Sequence, residues 1–223
     1  TLLTDALKVT SGTRQAMDEA IRRGVVITLA TGRMYASAQQ VAKQIDLNVP
    51  LITYQGSLVK NLLDGQILYE RRVPADAALT IYEFCNENGL HLQLYVNDVL
   101  YVREDNDKVR DYARLSAIPY TVDPDFDRLI HEPQTKMLII DDPEKIRRLT
   151  PILRERLGDQ VHITTSKPHY LEFLHKEGTK GDALRYLAGY YGCEMSEVIA
   201  IGDAWNDREM LEAAGLGVAM GNA

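Results

Sequence analysis

The sequence predicts an α/β fold built on a parallel sheet, on three observations. Apolar runs at residues 25–30 and 198–201 each stop abruptly in small and polar residues and then pass into helix-patterned sequence. Helix-like and strand-like segments alternate through residue 73, the order of βαβ units. Residues 74–173 then change style, with longer helices and alternating strands suited to an antiparallel sheet.

The elements follow in order. Ala16, Met17, Ala20 and Ile21 have helical spacing over residues 11–23, and Gly24 stops that helix. A buried strand is expected over 25–30, a helix over 34–45 and a third segment, Pro50-Leu51-Ile52-Thr53-Tyr54, as a strand. Gln55-Gly56-Ser57 turns the chain into 58–60, and Asp64-Gly65 makes a hairpin turn before 66–73. Beyond Pro74, residues 75–88 predict a helix ended by Gly89. Residues 91–96 and 99–102 predict strands joined at Asn97-Asp98. Residues 107–117 and 143–157 read as helices, the second opened by proline, and 136–140 and 161–165 as strands.

Chemistry gathers where the two apolar runs stop. The run at 198–201 ends in Gly202-Asp203-Ala204-Trp205-Asn206-Asp207 before a helical pattern over 208–214. In an open parallel sheet the carboxyl ends of strands border the ligand crevice. Two aspartates four apart suit a hard cation such as Mg²⁺, and the alternative is that Asp203 or Asn206 caps the helix. The run at 25–30 ends in Thr31-Gly32-Arg33, where a hydroxyl and free N–H groups can hold a phosphoryl oxygen, or Thr31 can cap the next helix. Lys180, in Gly178-Thr179-Lys180-Gly181-Asp182, starts a helix whose macrodipole disfavours a cation unless an anion lies against it. A hydroxyl, an ammonium and metal-binding carboxylates together equip a site for phosphoryl transfer.

These motifs, LATGR at 29–33, GTKGDAL at 178–184 and IGDAWNDREML at 201–211 followed by GVAMGNA, resemble the second, third and fourth motifs of the haloacid-dehalogenase-like (HAD) phosphatases, Cof-type branch. The resemblance spans nearly the whole chain. It implies a Rossmann-like core over 1–73 and 174–223 with an inserted α/β cap of the C2 type over 74–173. It implies that Thr31 hydrogen-bonds the transferring phosphoryl group, with Gly32 and Arg33 beside it. Lys180 would neutralise nucleophile and phosphate, and Asn206 would touch the phosphate. Asp203 would ligate Mg²⁺, and Asp207 would serve the same metal through its water shell. The family begins with DxDGTLL, whereas this sequence begins Thr1-Leu2-Leu3. Asp5 follows the TLL remnant and cannot replace either aspartate, so the nucleophile and general acid/base are expected upstream, and residues 1–223 alone are expected to be inactive. The family places asparagine where Gln55 stands.

Composition bounds the partners. With 45% hydrophobic residues there is enough apolar material for a core, and a net charge of −7 argues against a general nucleic-acid binder. No run approaches a membrane span, so no membrane partner is expected. Cys85 and Cys193 read as reduced, buried thiols of a cytoplasmic protein, and the spacing of His162 and His169 suits structural roles better than zinc. The reading is therefore a Mg²⁺-dependent phosphatase acting on a small phosphorylated metabolite, as a monomer or weak homodimer. Tyr95, Tyr101, Arg103, His169 and Tyr170 are cap residues available for substrate contact. A phosphomutase and a non-catalytic phospho-ligand module are the competing readings.

Overall fold

The structure, a computed structural model, describes residues 2–4 and 8–223; Thr1 and Asp5 lie outside the described residues. The chain divides into two compact units, Thr1–Tyr69 with Lys180–Ala223, and Glu70–Thr179.

The first unit opens with α1 (Ser11–Arg22), capped by the Thr10 hydroxyl, which accepts from the Thr13 N–H. Next come α2 (Tyr35–Ala42), β1 (Leu51–Thr53), β2 (Leu58–Lys60) and β3 (Ile67–Glu70), the three strands forming one sheet in that order. In the second unit, α3 (Ala75–Glu87) leads into the hairpin of β4 (His91–Val96) and β5 (Val99–Val102). The hairpin turns at Asn97 and Asp98, both at positive φ as a two-residue type I′ turn requires. There follow α4 (Asp107–Ser116), β6 (Thr121–Val122), α5 (Phe126–Leu129), β7 (Lys136–Ile140), α6 (Pro143–Leu157), β8 (Val161–Thr164) and β9 (Tyr170–His175). The Asp142 carboxylate caps α6 by accepting from the Glu144 and Lys145 N–H groups, and Pro143 occupies a first-turn position that needs no donor. The first unit resumes with α7 (Lys180–Tyr190), β10 (Ile199–Gly202), α8 (Arg208–Ala213) and β11 (Leu216–Ala219).

The second unit is a six-stranded sheet in the order β6-β5-β4-β7-β9-β8. Strand alternation sends Leu92, Leu94, Met137, Ile139, Leu171 and Phe173 into one apolar cluster with Ile81 and Phe84 of α3 and Ile146, Leu149 and Leu153 of α6. The neighbouring positions are polar yet buried: His91, Gln93, Tyr95, Lys136 and Glu172. Here Lys136 Nζ lies 3.3 Å from Glu172 and 4.6 Å from the centre of the Tyr95 ring. Tyr95 donates to Gln93 at 2.9 Å, and Ser166 donates to Glu172. Burial is the largest single influence and opposes charge on Lys136, but Glu172 and Tyr112 together outweigh it and hold the ammonium above its usual range. Tyr95 and Tyr170 are thus core residues, and Arg103 is committed to Asp127, Asn86 and Tyr82.

Three expectations are corrected. Residues 25–30 do not form a strand; Ala30 alone pairs, in parallel with Ile52, and Val25 and Val26 are exposed. The run expected to be buried at 198–201 becomes β10, but Ile199 and Ile201 are 63% and 51% exposed. Ladders need neighbours. Among the described residues the backbone of the 25–30 segment ladders only with residue 52, the Thr28 hydroxyl adding a bond to Pro50 O at 2.5 Å, and β10 pairs only with β11. Parallel pairing is seen in β10–β11, β5–β6 and the Ala30–Ile52 bridge, whereas β1–β2, β4–β5, β4–β7, β7–β9 and β8–β9 are antiparallel. Cys193 is exposed because it lies in the turn that ends α7, where its N–H returns to Ala188, whereas Cys85 is buried on α3 and burial raises its pKa. No described helix is long and apolar enough to cross a membrane.

His91 gives a pH test of the second unit. Burial first, then nearby Lys108, depress its pKa from 6.5 to about 4, against opposition from Glu104 and Asp141. The folded state therefore prefers neutral imidazole. The resulting stability is fully present above pH 6.5 and is lost as pH falls towards 4. The contribution is roughly 3 kcal/mol. Urea unfolding at pH 7 and pH 4.5 should show a smaller pH-dependent loss for His91→Gln than for wild type, and parallel losses would contradict the assignment.

Candidate active site

The site is assembled in the first unit from two chain reversals. At the first, Ile52 N–H donates to Leu29 O and Thr31 N–H to Ile52 O, both at 2.9 Å. Tyr54 N–H donates to Arg33 O at 2.9 Å, and Gln55 N–H to Thr31 O at 3.1 Å. These four bonds hold the TGR turn against the end of β1. They also hold Tyr54 and Gln55 at φ 51° and 61°, left-handed values that side-chain-bearing residues seldom adopt. Backbone of this kind costs on the order of 1–3 kcal/mol per residue and collects at functional sites. Here it lays the buried Gln55 side chain over Gly32, where a Cβ would meet the amide nitrogen at 2.4 Å. A side chain at residue 32 would displace that amide. The Thr31 hydroxyl accepts from the Arg33 N–H at 3.2 Å, and the Arg33 guanidinium donates to Ser37 at 3.1 Å.

At the second reversal β10 delivers Gly202-Asp203, and a 3-10 turn, Trp205–Asp207, leads into α8. The Asp207 carboxylate folds back on the loop: Oδ2 accepts from the Asp203 and Ala204 N–H groups at 3.0 and 3.2 Å. A Cβ on residue 202 would meet Asp207 Cβ at 2.5 Å, so this fold-back depends on Gly202. Asp207 Oδ1 receives the Lys180 ammonium at 2.5 Å, with the two residues each 5% exposed. The cation at the start of α7 thus has the anion that its helix dipole demands. Asn206 Nδ2 donates to Gln55 Oε1 at 2.8 Å and joins the two reversals. Asp203 is half-buried, with Oδ2 3.4 Å from Asn222 Nδ2.

Helix capping does not account for Thr31, Asp203 or Asn206, whereas the Asp207 side chain caps the 3-10 turn by accepting from the Ala204 N–H. The residue before α2 is Met34, not Thr31, and α8 starts after Asp207, with the Asp203 and Asn206 side chains engaged elsewhere. Thr31, Gly32, Asn206, Asp203, Asp207 and Lys180 are linked in one network, while the Arg33 guanidinium turns to Ser37. Gln55 is the central residue that sequence reasoning left without a role. Its only sequence signal is the Gln-Gly pair directly after an apolar strand. No group of three or more His, Cys, Asp or Glu among the described residues forms a metal cage. The nearby carboxylates are those of Asp203 and Asp207; both Asp207 oxygens accept from protein donors, and Asp203 Oδ2 lies 3.4 Å from Asn222 Nδ2.

A buried ammonium, side-chain amides, a hydroxyl and carboxylates thus gather around the two reversals. The chain belongs to the haloacid dehalogenase-like hydrolases, whose family model matches residues 1–223. It is 30% identical to the HMP-PP phosphatase of Cronobacter sakazakii, an alignment covering all of this chain and 81% of that protein. It is also similar to the crystal structure of TM0651 from Thermotoga maritima, at TM-score 0.88 and 36% identity, covering 100% of this chain and 84% of that one. A haloacid dehalogenase-like hydrolase from Bacteroides thetaiotaomicron superposes at TM-score 0.89 with 28% identity over 100% and 85% of the two chains.

The Lys180–Asp207 pair predicts a stability effect that an exposed lysine would lack. Lys180→Met leaves a carboxylate buried without its cation and should cost about 3–5 kcal/mol in denaturant unfolding, with Lys180→Met/Asp207→Asn recovering part of the loss. An unchanged midpoint in the single variant would contradict the pairing.

Proposed function

We propose that this protein is a Mg²⁺-dependent phosphatase that hydrolyses a small phosphorylated metabolite in the cytoplasm. The observation that carries the reading is the convergence of Lys180–Asp207 and Asn206–Gln55–Gly32 at the ends of two adjacent reversals. The name of the Cronobacter relative, a phosphatase, supports the reaction class.

On this reading the Thr31 hydroxyl and the Gly32 N–H hold phosphoryl oxygens, and the close packing of Gln55 on Gly32 fixes that turn. Asn206 donates to the phosphate, oriented by Gln55 through the same amide that it uses in the free site. Lys180 offsets negative charge on the nucleophile and the phosphoryl group, and Asp207 keeps the ammonium in place. Asp203 would hold the Mg²⁺ with Asp207 in support, and the ion when bound would supply charge neutralisation for the phosphoryl group. The attacking carboxylate and the general acid/base belong to a DxD strand N-terminal to Thr1. Supporting that position, Ile199, Ile201, Leu216, Val218, Val25 and Val26 expose apolar side chains on β10, β11 and the 25–30 segment, an expensive arrangement unless another strand covers them. The Glu70–Thr179 unit takes the role of the cap.

The test compares residues 1–223 with a polypeptide extended upstream by the DxD strand, using an aryl phosphate and Mg²⁺. The extended protein should turn over and the shorter one should not. In the extended protein, Asp203→Asn should lose turnover by two or more orders of magnitude and weaken Mg²⁺ binding in direct titration. Equal turnover by both lengths would remove the nucleophile from the upstream strand. Phosphate binding without turnover in either would favour the phospho-ligand module.

A further inference from the structure

We propose that the cleft between α6 and the β8–β9 connection binds a small organic dianion with an extended apolar middle, its two anionic ends on Arg147 and Arg154. The cleft has a volume of about 460 Å³, a size suited to a small-molecule ligand, and lies wholly within the Glu70–Thr179 unit. Helix α6 lines it with Ile146, Arg147, Thr150, Pro151 and Arg154, and the β8–β9 connection adds Thr165 and Pro168. None of these residues belongs to the network of Thr31, Lys180 and Asp203, so the ligand is independent of the phosphatase activity.

The charge of this helix runs against that of the chain. The net charge is −7, yet α6 carries five basic side chains against two acidic ones, Glu144 and Glu155. Lys145, Arg147 and Arg156 already meet Asp141, Glu144 and Glu87. Arg154 lines the cleft with no carboxylate partner among the described residues. Arg147 and Glu144 form an exposed pair at 2.7 Å, and such a pair contributes so little that an incoming anion can displace it. Positions 147 and 154 are about two helical turns apart, which puts both guanidinium stems on one face with about 10 Å between them along the axis. That spacing suits two anionic groups joined by a linear chain.

The stretch between the arginines is apolar. The Thr150 hydroxyl is spent on Ile146 O at 2.7 Å, Ile146 itself is buried, and Pro151 and Pro168 present ring carbons to the cleft. Proline inside a helix has no N–H for the carbonyl four residues back, here Arg147, and is strongly disfavoured there. Pro151 is exposed, so core packing does not offset that penalty, whereas a role as cleft wall accounts for its place.

The test is an NMR titration of the upstream-extended protein with octanedioate, using octanoate and octane-1,8-diol as controls. Octanedioate should bind saturably and shift the Thr165 amide and the Arg147 and Arg154 Nε–H signals, leaving the Thr31 and Gly32 amides in place. Octanoate, with one charge-assisted contact fewer, should bind about tenfold or more weakly, and the diol should not bind. Arg154→Gln should weaken octanedioate by a similar factor while the thermal midpoint stays unchanged, since this exposed side chain supports no core contact. Equal affinity for octanedioate and octanoate, wild-type affinity in Arg154→Gln, or shifts centred on Thr31 and Gly32 would overturn the assignment, as would the absence of saturable shifts in the cleft. Loss of aryl phosphate turnover in wild type would remove the phosphatase reading and leave this titration unaffected.

Discussion

The first unit depends on a buried ion pair, Lys180 with Asp207, made between the start of α7 and the turn before α8. Sequestering two charges is costly, and the pair is supported on its acidic side, where one Asp207 oxygen meets the ammonium and the other accepts from two backbone N–H groups. That geometry requires glycine at 202 and a close approach of α7 to α8 at Gly181, where a Cβ would lie 2.7 Å from Glu209 O. The pair therefore locks the Asp203–Asp207 loop to α7. Asn206 then extends the lock to Gln55 and the TGR turn. The left-handed pair at Tyr54 and Gln55 is the conformational cost of that extension, and it lies where a ligand would gain from preorganised donors.

The second unit solves a different problem with the same device. Its sheet has one apolar side, packed by α3 and α6, and an opposite side where Lys136 and Glu172 are buried among tyrosines. Tyr112 of α4 meets Tyr95 and Tyr170 edge-on at 6.5 and 5.6 Å. A shift of register by one residue would carry the polar row into the apolar cluster, so the buried pair opposes slippage as well as filling space. This places structural weight on residues that, by type alone, suggest ligand contact.

Much of this was legible in the sequence because the signals were local. Proline at the start of α6, Asn97-Asp98 between β4 and β5 and the alternation in β4 each act within a few residues. The end of β10 that bears Asp203 was legible for the same reason. What sequence could not supply was partnership across distance. Residues 25–30 have strand-like composition, but a strand exists only where neighbours take its hydrogen bonds. Gln55 is unremarkable until the turn at Tyr54 aims it across 151 positions at Asn206. Lys180 offered a sharper clue, since a cation at a helix start calls for an anion, yet only the fold names that anion as Asp207.

The central claim is that Thr31-Gly32, Asn206 and Lys180 serve one phosphate, and NMR chemical-shift mapping of the upstream-extended protein with inorganic phosphate tests it most directly. Titration in the presence of Mg²⁺ should shift the Thr31 and Gly32 amides, the Asn206 side-chain amide and the Lys180 ammonium together, with one dissociation constant, and Asp203→Asn should weaken all of them in step. Independent constants for the three groups, or a Lys180 signal that does not move, would contradict the convergence.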